Sequence, residues 1–513
     1  MKIGRYVLRE IELKLLLDTR ALTRLPKTAW AGRSNLAGVK RKRLRSTYFD
    51  MPDLALNAAG FTLRVREAGR DLIQTVKAKP RGTGLALDRV EYESPVGAST
   101  ALPDLSLLPE EVAGTIEKLC GGTSPRPAFT TDIRRRTAYL KTPDALIELA
   151  LDEGAILAGA EKEPLRELEL ELKEGTPLAL YREAAQLLEE VPLRLSLRSK
   201  AERGFRLASG GAISPVKAGP IQLEATATAG EALEAALSSA LSQILANEPA
   251  IMEAGDPEGI HQMRVGLRRL RAIIGLLGDH SEELKTLSLQ AKHYAAVLGR
   301  ARDLDVFEEE ILAPVAALDL LETDLTPLTS ALGRARKAAW RDVQAALNEP
   351  EFTKFLLSLA CEIERLRMAA PDGELAAPAQ EAGAARLEKA AEKAAKLGRK
   401  FAKLPPPERH ELRKRLKKLR YAAQVFEPLF NAGKTAPYLK HLGALQDSLG
   451  ALNDVAAAEE TLARLPVAAQ YRTAAARACG FILGYHGHRA EEDLKAAGKL
   501  WKKFAKVPRF WQG

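Results

Sequence analysis

Through much of residues 1–206, charged and apolar residues alternate with a period of two, and this constrains the fold more than any other feature of the chain. In REIELKL (9–15), Glu10, Glu12 and Lys14 share one face of a strand and Ile11, Leu13 and Leu15 the other. The same alternation runs through TLRVR (62–66), QTVKAK (74–79), DRVEYE (88–93), ALIELALD (145–152) and ELELEL (167–172). A solvated sheet face explains any one of these strands. Taken together they would need a cover over every apolar face, and strongly amphipathic helices are few in this half. A barrel closed on itself, with a charged lumen, an apolar outside and short helices around part of it, accounts for all of them.

The lumen of such a barrel would carry both signs: Glu10, Glu12, Glu167, Glu169 and Glu171 against Lys14, Arg64, Arg66, Lys77, Lys79 and Arg89. Enclosed charges are costly unless paired or liganded. Clustered carboxylates suit a hard cation such as Mg²⁺ or Mn²⁺, and Arg and Lys suit phosphate oxygens. A metal beside a basic cradle is an arrangement used to transfer phosphoryl groups to water.

After a Gly-, Ser- and Pro-rich stretch, read as a linker over 207–222, the periodicity changes. Residues 223–507 are rich in Ala and Leu, with apolar residues recurring at three and four, which predicts an all-α unit. The stretch 370–384 lacks an apolar stripe and reads as an exposed loop. This half also repeats. HQMRVGLRRLR (261–271) is echoed by HELRKRLKKLR (410–420), and LGRARD (298–303) by LGALND (449–454), in the same order. The unit is therefore a duplication, expected to form a pseudo-twofold bundle. On each repeat's helix one stripe is basic: His261, Arg264, Arg268 and Arg271, then His410, Arg413, Lys417 and Arg420. A lysine-rich stripe is commonly just a solvated face, but solvation gives no reason to place a His at the same register twice.

The formal net charge of +10 calls for an anionic partner, and charge alone does not choose among nucleic acid, acidic lipid and polyphosphate. Aromatic residues make up only 5% of the chain, which argues against single-stranded nucleic acid, where bases stack on rings, and favours polyphosphate. Duplex backbone binding is left open. The three cysteines, widely spaced, exclude a disulfide framework. No signal core, membrane-length apolar run or GxxxxGK[ST] loop occurs, so a cytoplasmic location is expected and a P-loop enzyme is not. RGTG (81–84) reads as a hairpin turn.

Taken in order, ExExK (10–14), YFDMPDLAL (48–56), LRVR (63–66), QTVK (74–77) and the closing ELELEL resemble the CYTH family of triphosphate tunnel metalloenzymes. The resemblance implies an antiparallel eight-stranded β tunnel with flanking helices that takes a linear triphosphate. It implies that Glu10, Glu12, Glu167 and Glu169 hold divalent metal, with Glu148 and Asp152 as further acidic wall residues. Lys14, Arg64, Arg66, Lys77, Lys79 and Arg89 would cradle phosphates, and Lys200 resembles a lysine near the tunnel end. One inward arginine is expected from TDIRRR (131–136), with Arg135 preferred over Arg134 and Arg136. A metal-oriented water would be the nucleophile, with Lys77, beside Lys14, as the candidate to help position or deprotonate it.

The helical half resembles the CHAD domain, through HxxRVxxRRLR, LGxxRDxDV (298–306), HxLRKxxKxLRY (410–421) and LQDxLGxLND (445–454). That implies two four-helix bundles whose basic faces bind inorganic polyphosphate. Arg302, Asp303, Asn453 and Asp454 have an orienting or capping role available. Together the resemblances imply an inorganic triphosphatase docked on polyphosphate or on polyphosphate granules. Thiamine triphosphate hydrolysis, ATP cyclisation and phosphate binding without turnover remain open alternatives.

Overall fold

The computed structural model describes residues 6–69, 71–78, 87–97, 102–278, 281–318 and 324–512. Lys79 and the 81–84 turn lie outside them, and Arg89 is described only in its backbone. The chain divides into two compact units, one of residues 1–214 with 348–364, the other of residues 215–347 with 365–513.

The first unit is built on nine strands: β1 Tyr6–Leu16, β2 Lys42–Asp50, β3 Thr62–Ala68, β4 Asp71–Lys77, β5 Leu87–Pro95, β6 Arg126–Lys141, β7 Leu146–Ala158, β8 Glu161–Glu174 and β9 Arg194–Ser196. The order β5-β4-β3-β2-β6-β7-β8-β1 is closed by antiparallel pairing of β1 with β5, giving an eight-stranded barrel. The ninth strand was not foreseen: β1 pairs with β5 over Tyr6–Glu12, and β9 takes up the same edge beyond it, at Lys14–Leu16. The β7–β8 hairpin turns at Gly159, whose φ of 58° suits a residue without Cβ.

The alternation read from sequence sorts the two faces. Phe49, Leu63, Val65 and Val76 point outward, under Ile116 and Cys120 of the helix Glu110–Cys120. Helix Pro177–Leu188 lies against β1 and β8. At one end the lumen itself turns apolar: Leu44, Tyr48, Phe129, Ile133, Ile156 and Leu165 pack with Ala201 and Phe205 of the helix Lys200–Ser209. Tyr48 stacks on Phe129 at 4.3 Å, and Phe205 meets the same ring edge-on at 5.0 Å. The helix comes this close because residue 204 is glycine; a Cβ there would lie 2.0 Å from Phe129. Since Phe129 is held from two sides, Gly204→Ala should cost about 1–3 kcal/mol by overpacking and lower the denaturation midpoint. An unchanged midpoint would mean that this helix does not fill the barrel end.

In the second unit, helices Ala229–Met252, Pro257–Leu277 and Glu282–Val306 are matched by Ala379–Gly398, Pro406–Phe426 and Ala432–Arg464. The pseudo-twofold shows where the repeats begin, as Ala229 N–H donates to the Ala377 carbonyl (2.9 Å) and Ala379 N–H to that of Ala227 (2.8 Å). Helix Ala229–Met252 packs on Ala379–Gly398, and Pro257–Leu277 on Pro406–Phe426. The fourth helices, Thr326–Asn348 and Arg472–Phe504, share one core through Leu328, Leu332, Ala478 and Ile482. The stretch 370–384 differs from expectation: a helix starts at Ala379, and Ala379 and Ala382 are buried. Alanines bury a helix face without presenting a visible apolar stripe. Among the described residues no helix is long and apolar enough to cross a membrane.

Candidate functional site

The barrel lumen holds a cavity of about 230 Å³ lined mostly by charged side chains, joined by Tyr48, Thr62, Thr75, Ser199 and Ala201. Inward positions on β1, β8 and β7 bring together Glu10, Glu12, Lys14, Glu169, Glu171 and Glu148; β3 to β6 supply Arg64, Arg66, Lys77, Glu91, Glu93 and Arg135. Arg135 is the inward member of its arginine triplet. Its fork grips Asp152 at 2.7 and 2.6 Å and reaches Glu169 at 2.8 Å, whereas Arg134 is exposed.

Two acidic groups line this barrel and differ in kind. Among the described residues, Asp152, Glu167 and Glu169 offer carboxylate oxygens within 4.8 Å of one another. All three hold Lys200, with Asp152 and Glu169 each at 2.9 Å, and Glu167 also takes Arg203 at 3.4 Å. Burial opposes the charge of Lys200, but the three carboxylates outweigh it and raise its pKa. Asp152 and Glu167 do not line the cavity; they have their cation already.

The second group, Glu10, Glu12, Glu148 and Glu171, does face the cavity. Here the Glu171 carboxyl is pushed up to about 7, by burial first and then by Glu10 and Glu148, although Lys173 lies 2.5 Å away. Opposite it, the Arg66 guanidinium is pushed down to about 10 by Arg64, by burial and by Arg135. Each glutamate of this group has a lysine beside it, Lys77 at Glu10, Lys14 at Glu12, and Lys173 at both Glu148 and Glu171. Burial and like charge still outweigh the lysine at Glu171, while Arg66 is crowded by other cations. Clustered hard carboxylate oxygens facing one cavity, with Glu171 raised despite its lysine, fit a divalent metal of the Mg²⁺ or Mn²⁺ kind. Lys77 lies 2.5 Å from Glu10 and 3.2 Å from Glu91; burial disfavours its charge, but these two glutamates win and raise its pKa. It stays an ammonium, which suits positioning rather than proton abstraction.

The helical unit has a larger cavity, of about 960 Å³. Both basic stripes open into it, through His261, Arg264 and Arg268 from one repeat and His410, Arg413, Lys417 and Arg420 from the other; Arg271 does not line it. Arg264 is oriented by Asp303 at 2.9 Å, and His410 Nδ1 lies 2.5 Å from Asn453 Oδ1. Glycines at matching points of the repeats leave room for the arginines, since a Cβ on Gly299 would meet Arg264 at 3.3 Å and one on Gly450 would meet Arg413 at 3.6 Å. The cations are crowded. Burial, then Arg268, Arg413 and Arg264, pushes Lys417 down to about 7. His261 falls to about 4, through burial first, then Arg302, Arg268 and Arg264, against the pull of Glu258. Among the described residues, the Nε atoms of Arg268, Arg302 and Arg413 are buried without a hydrogen-bond partner. A six-residue π-helical stretch, Phe307–Leu312, borders the cavity, as such irregularities often do at binding sites.

Sequence reasoning did not single out Tyr48, Glu91, Lys173 or Lys217 as site residues, gave Arg302 an orienting or capping role alone, and had Glu171 as a charge of the lumen but not as a metal ligand. Alternation in DRVEYE and ELELEL already put Glu91 and Glu171 on the inward face, so a stricter use of period two would have found both.

An ion-lined antiparallel tunnel and a duplicated helical unit with a cationic cavity define a two-domain chain, and comparison with known proteins gives each part its family. The chain combines a CYTH domain, matched over residues 8–205, with a CHAD domain, matched over 235–463. Over 203 residues it is 30% identical to an inorganic triphosphatase of Haemophilus influenzae, covering 40% of this chain and 56% of that protein, so the chain spans little more than half of that relative. Among solved structures, the CHAD domain from the plant Ricinus communis is 28% identical, with a TM-score of 0.48, covering 58% of this chain and 98% of that one. HpAC1 from Hippeastrum, for which a dominant triphosphatase activity is stated, is 22% identical with a TM-score of 0.29, covering 40% of this chain and 97% of that one.

Proposed function

We propose that the barrel hydrolyses inorganic triphosphate to diphosphate and phosphate with Mg²⁺ or Mn²⁺, and that the helical unit binds inorganic polyphosphate. The observation that carries the first part is the opposed polarity of the lumen, where Glu171 is raised and Arg66 lowered across one cavity. A metal–triphosphate complex relieves both at once. The similarity to an inorganic triphosphatase supports the same reading.

Glu10, Glu12, Glu148 and Glu171 would hold the metal, with Glu169 at the border of the two acidic groups. When bound, the metal would draw charge from phosphate oxygens and acidify a bound water. Among the described residues Arg66 has no carboxylate within ion-pair distance and its Nε donates to Ser46 Oγ at 3.4 Å, so its fork is available for phosphate oxygens. Arg64 and Lys14 would neutralise neighbouring oxygens, and Lys77, kept protonated by Glu10 and Glu91, would steady charge as it develops. Arg135 and Lys200, both lining the cavity, are held at fixed positions by Asp152 and Glu169 and would present N–H donors to an inner phosphate. Lys79 and Arg89 belong to the same cradle by motif alone.

In the helical unit the support is the set of depressed cations and unpartnered buried Nε atoms facing one cavity. Phosphate release should be measured from triphosphate, long-chain polyphosphate, ATP and thiamine triphosphate, each with Mg²⁺ and with Mn²⁺. Metal-dependent turnover selective for triphosphate is expected. Absence of turnover beside salt-sensitive polyphosphate binding would make this a binding protein instead. Competition by duplex DNA on equal terms at physiological salt would overturn the polyphosphate assignment.

A further inference from the structure

The segment that follows the barrel's last helix is not a free tether where it enters the second unit. It has no regular secondary structure, yet residues 217–221 form part of the wall of the cationic cavity. What holds it is Asn247, wholly buried on the helix Ala229–Met252. The Val216 N–H donates to Asn247 Oδ1 at 2.9 Å, and Asn247 Nδ2 donates to the Val216 carbonyl at 2.8 Å and to the Gln243 carbonyl at 2.7 Å. The side-chain amide thus pairs with one residue's backbone on both edges, as a neighbouring strand would. An asparagine inside a helix is otherwise unfavourable, and a buried one is tolerated only when its donors and acceptor are used. The clamp extends into the cavity wall: Gln243 donates to Gln262 at 3.1 Å and accepts from Arg269 at 3.0 Å, and all three line the cavity. Further along, Ile221 is buried. Between these two anchors sits Lys217, exposed and on the cavity lining.

We propose that residues 215–221 are a strap built into the anion site, clamped by Asn247, and that Lys217 is a further phosphate-binding residue of the helical unit. This rests on the polyphosphate reading given above. A polyanion lying in the cavity gains one more cation from the strap, and strap and ligand hold each other in place.

The test uses the full chain and polyphosphate of defined length. Lys217→Ala should weaken binding about three- to tenfold and reduce the slope of log affinity against log salt by about one, as expected for one lost phosphate contact. Lys217→Glu should weaken it further. Asn247→Ala should weaken binding in the same direction and make 211–221 more readily cut by protease, while in the wild type polyphosphate should protect that segment. Should Asn247→Ala fail to fold, the Lys217 variants and wild-type protection decide the matter alone. If wild type binds polyphosphate and the Lys217 variants match it in affinity and salt slope, the strap is overturned and the reading of the cavity stands. If wild type does not bind polyphosphate at all, that reading falls and the strap's role with it.

Discussion

Replacing Glu10 with glutamine should lower the turnover of triphosphate by on the order of 10²–10³-fold, the size expected when one charge-stabilising group leaves a preorganised site. The change keeps the side chain's shape and its capacity to accept from Lys77, now 2.5 Å away, but removes one negative charge from the side of the lumen where Glu171 is already raised to about 7. Two quantities should therefore move together: turnover, and the affinity for Mn²⁺ measured directly by calorimetry or spin resonance. Glu167→Gln supplies the contrast. Glu167 is fully enclosed and already binds Lys200 and Arg203, so its loss should disturb Lys200 and the stability of the barrel and leave Mn²⁺ affinity much closer to wild type. If Glu167→Gln weakens Mn²⁺ binding strongly while Glu10→Gln does not, the metal belongs with Asp152, Glu167 and Glu169, and the assignment made here is inverted.

That contrast marks a boundary of what sequence can say. Period-two alternation gives the face of Glu10, Glu12, Glu167, Glu169 and Glu171, because each strand's two faces meet different surroundings. It does not tell which residues meet across the lumen, since that depends on the pairing of β1 with both β5 and β8. ELELEL therefore reads as three equivalent glutamates, while barrel closure makes Glu167 the partner of a buried lysine and an arginine and gives Glu171 only the partly exposed Lys173, which does not offset its burial. Strand β6 was harder still, because three successive arginines break the alternation that would have marked its inward face. The apolar end of the lumen depends on Phe129 and Phe205, which come together only in the closed fold.

The helical half was legible through its repetition, which survives without any knowledge of packing. Matching His, Arg and Leu-Gly positions predicted two related basic helices, and the structure adds that both open into one cavity. Arg271 is the exception: it falls on the stripe by spacing but not on the cavity, although its counterpart Arg420, ten residues after His410, does line it, so the two repeats differ at this end of the stripe. The Asn247 clamp had no signal at all, since a lone polar residue in an alanine-rich helix does not announce its partner.

The crowding in that cavity leads to the second large effect, a steep pH dependence of polyphosphate binding. Lys417, on the helix Pro406–Phe426, is pushed down to about 7 by burial and by three arginines: Arg268 and Arg264 across the cavity, and Arg413 one turn before it. Asp454, from the helix Ala432–Arg464, pulls the other way and does not prevail. A bound polyanion favours the ammonium form and so raises the pKa of Lys417. Binding is then at full strength below about 7, where Lys417 is already charged, and weakens as pH rises, by up to about tenfold per pH unit between about 7 and 9 for one linked proton. His261, held near 4, stays neutral across this window and contributes no slope. The stability of the free protein moves in the opposite sense. The unfolded lysine keeps its proton to higher pH than the folded one, so this group's penalty is fully present below about 7 and is relieved as pH rises. Affinity measured from pH 6 to 9, with denaturation midpoints taken alongside, tests both signs. Lys417→Gln should bind more weakly at pH 6 and lose most of the slope. A wild-type affinity that is flat across this range would show that Lys417 keeps an ordinary pKa, and that the cavity's carboxylates, Asp303, Glu310, Asp447 and Asp454 among them, offset the crowding of its cations.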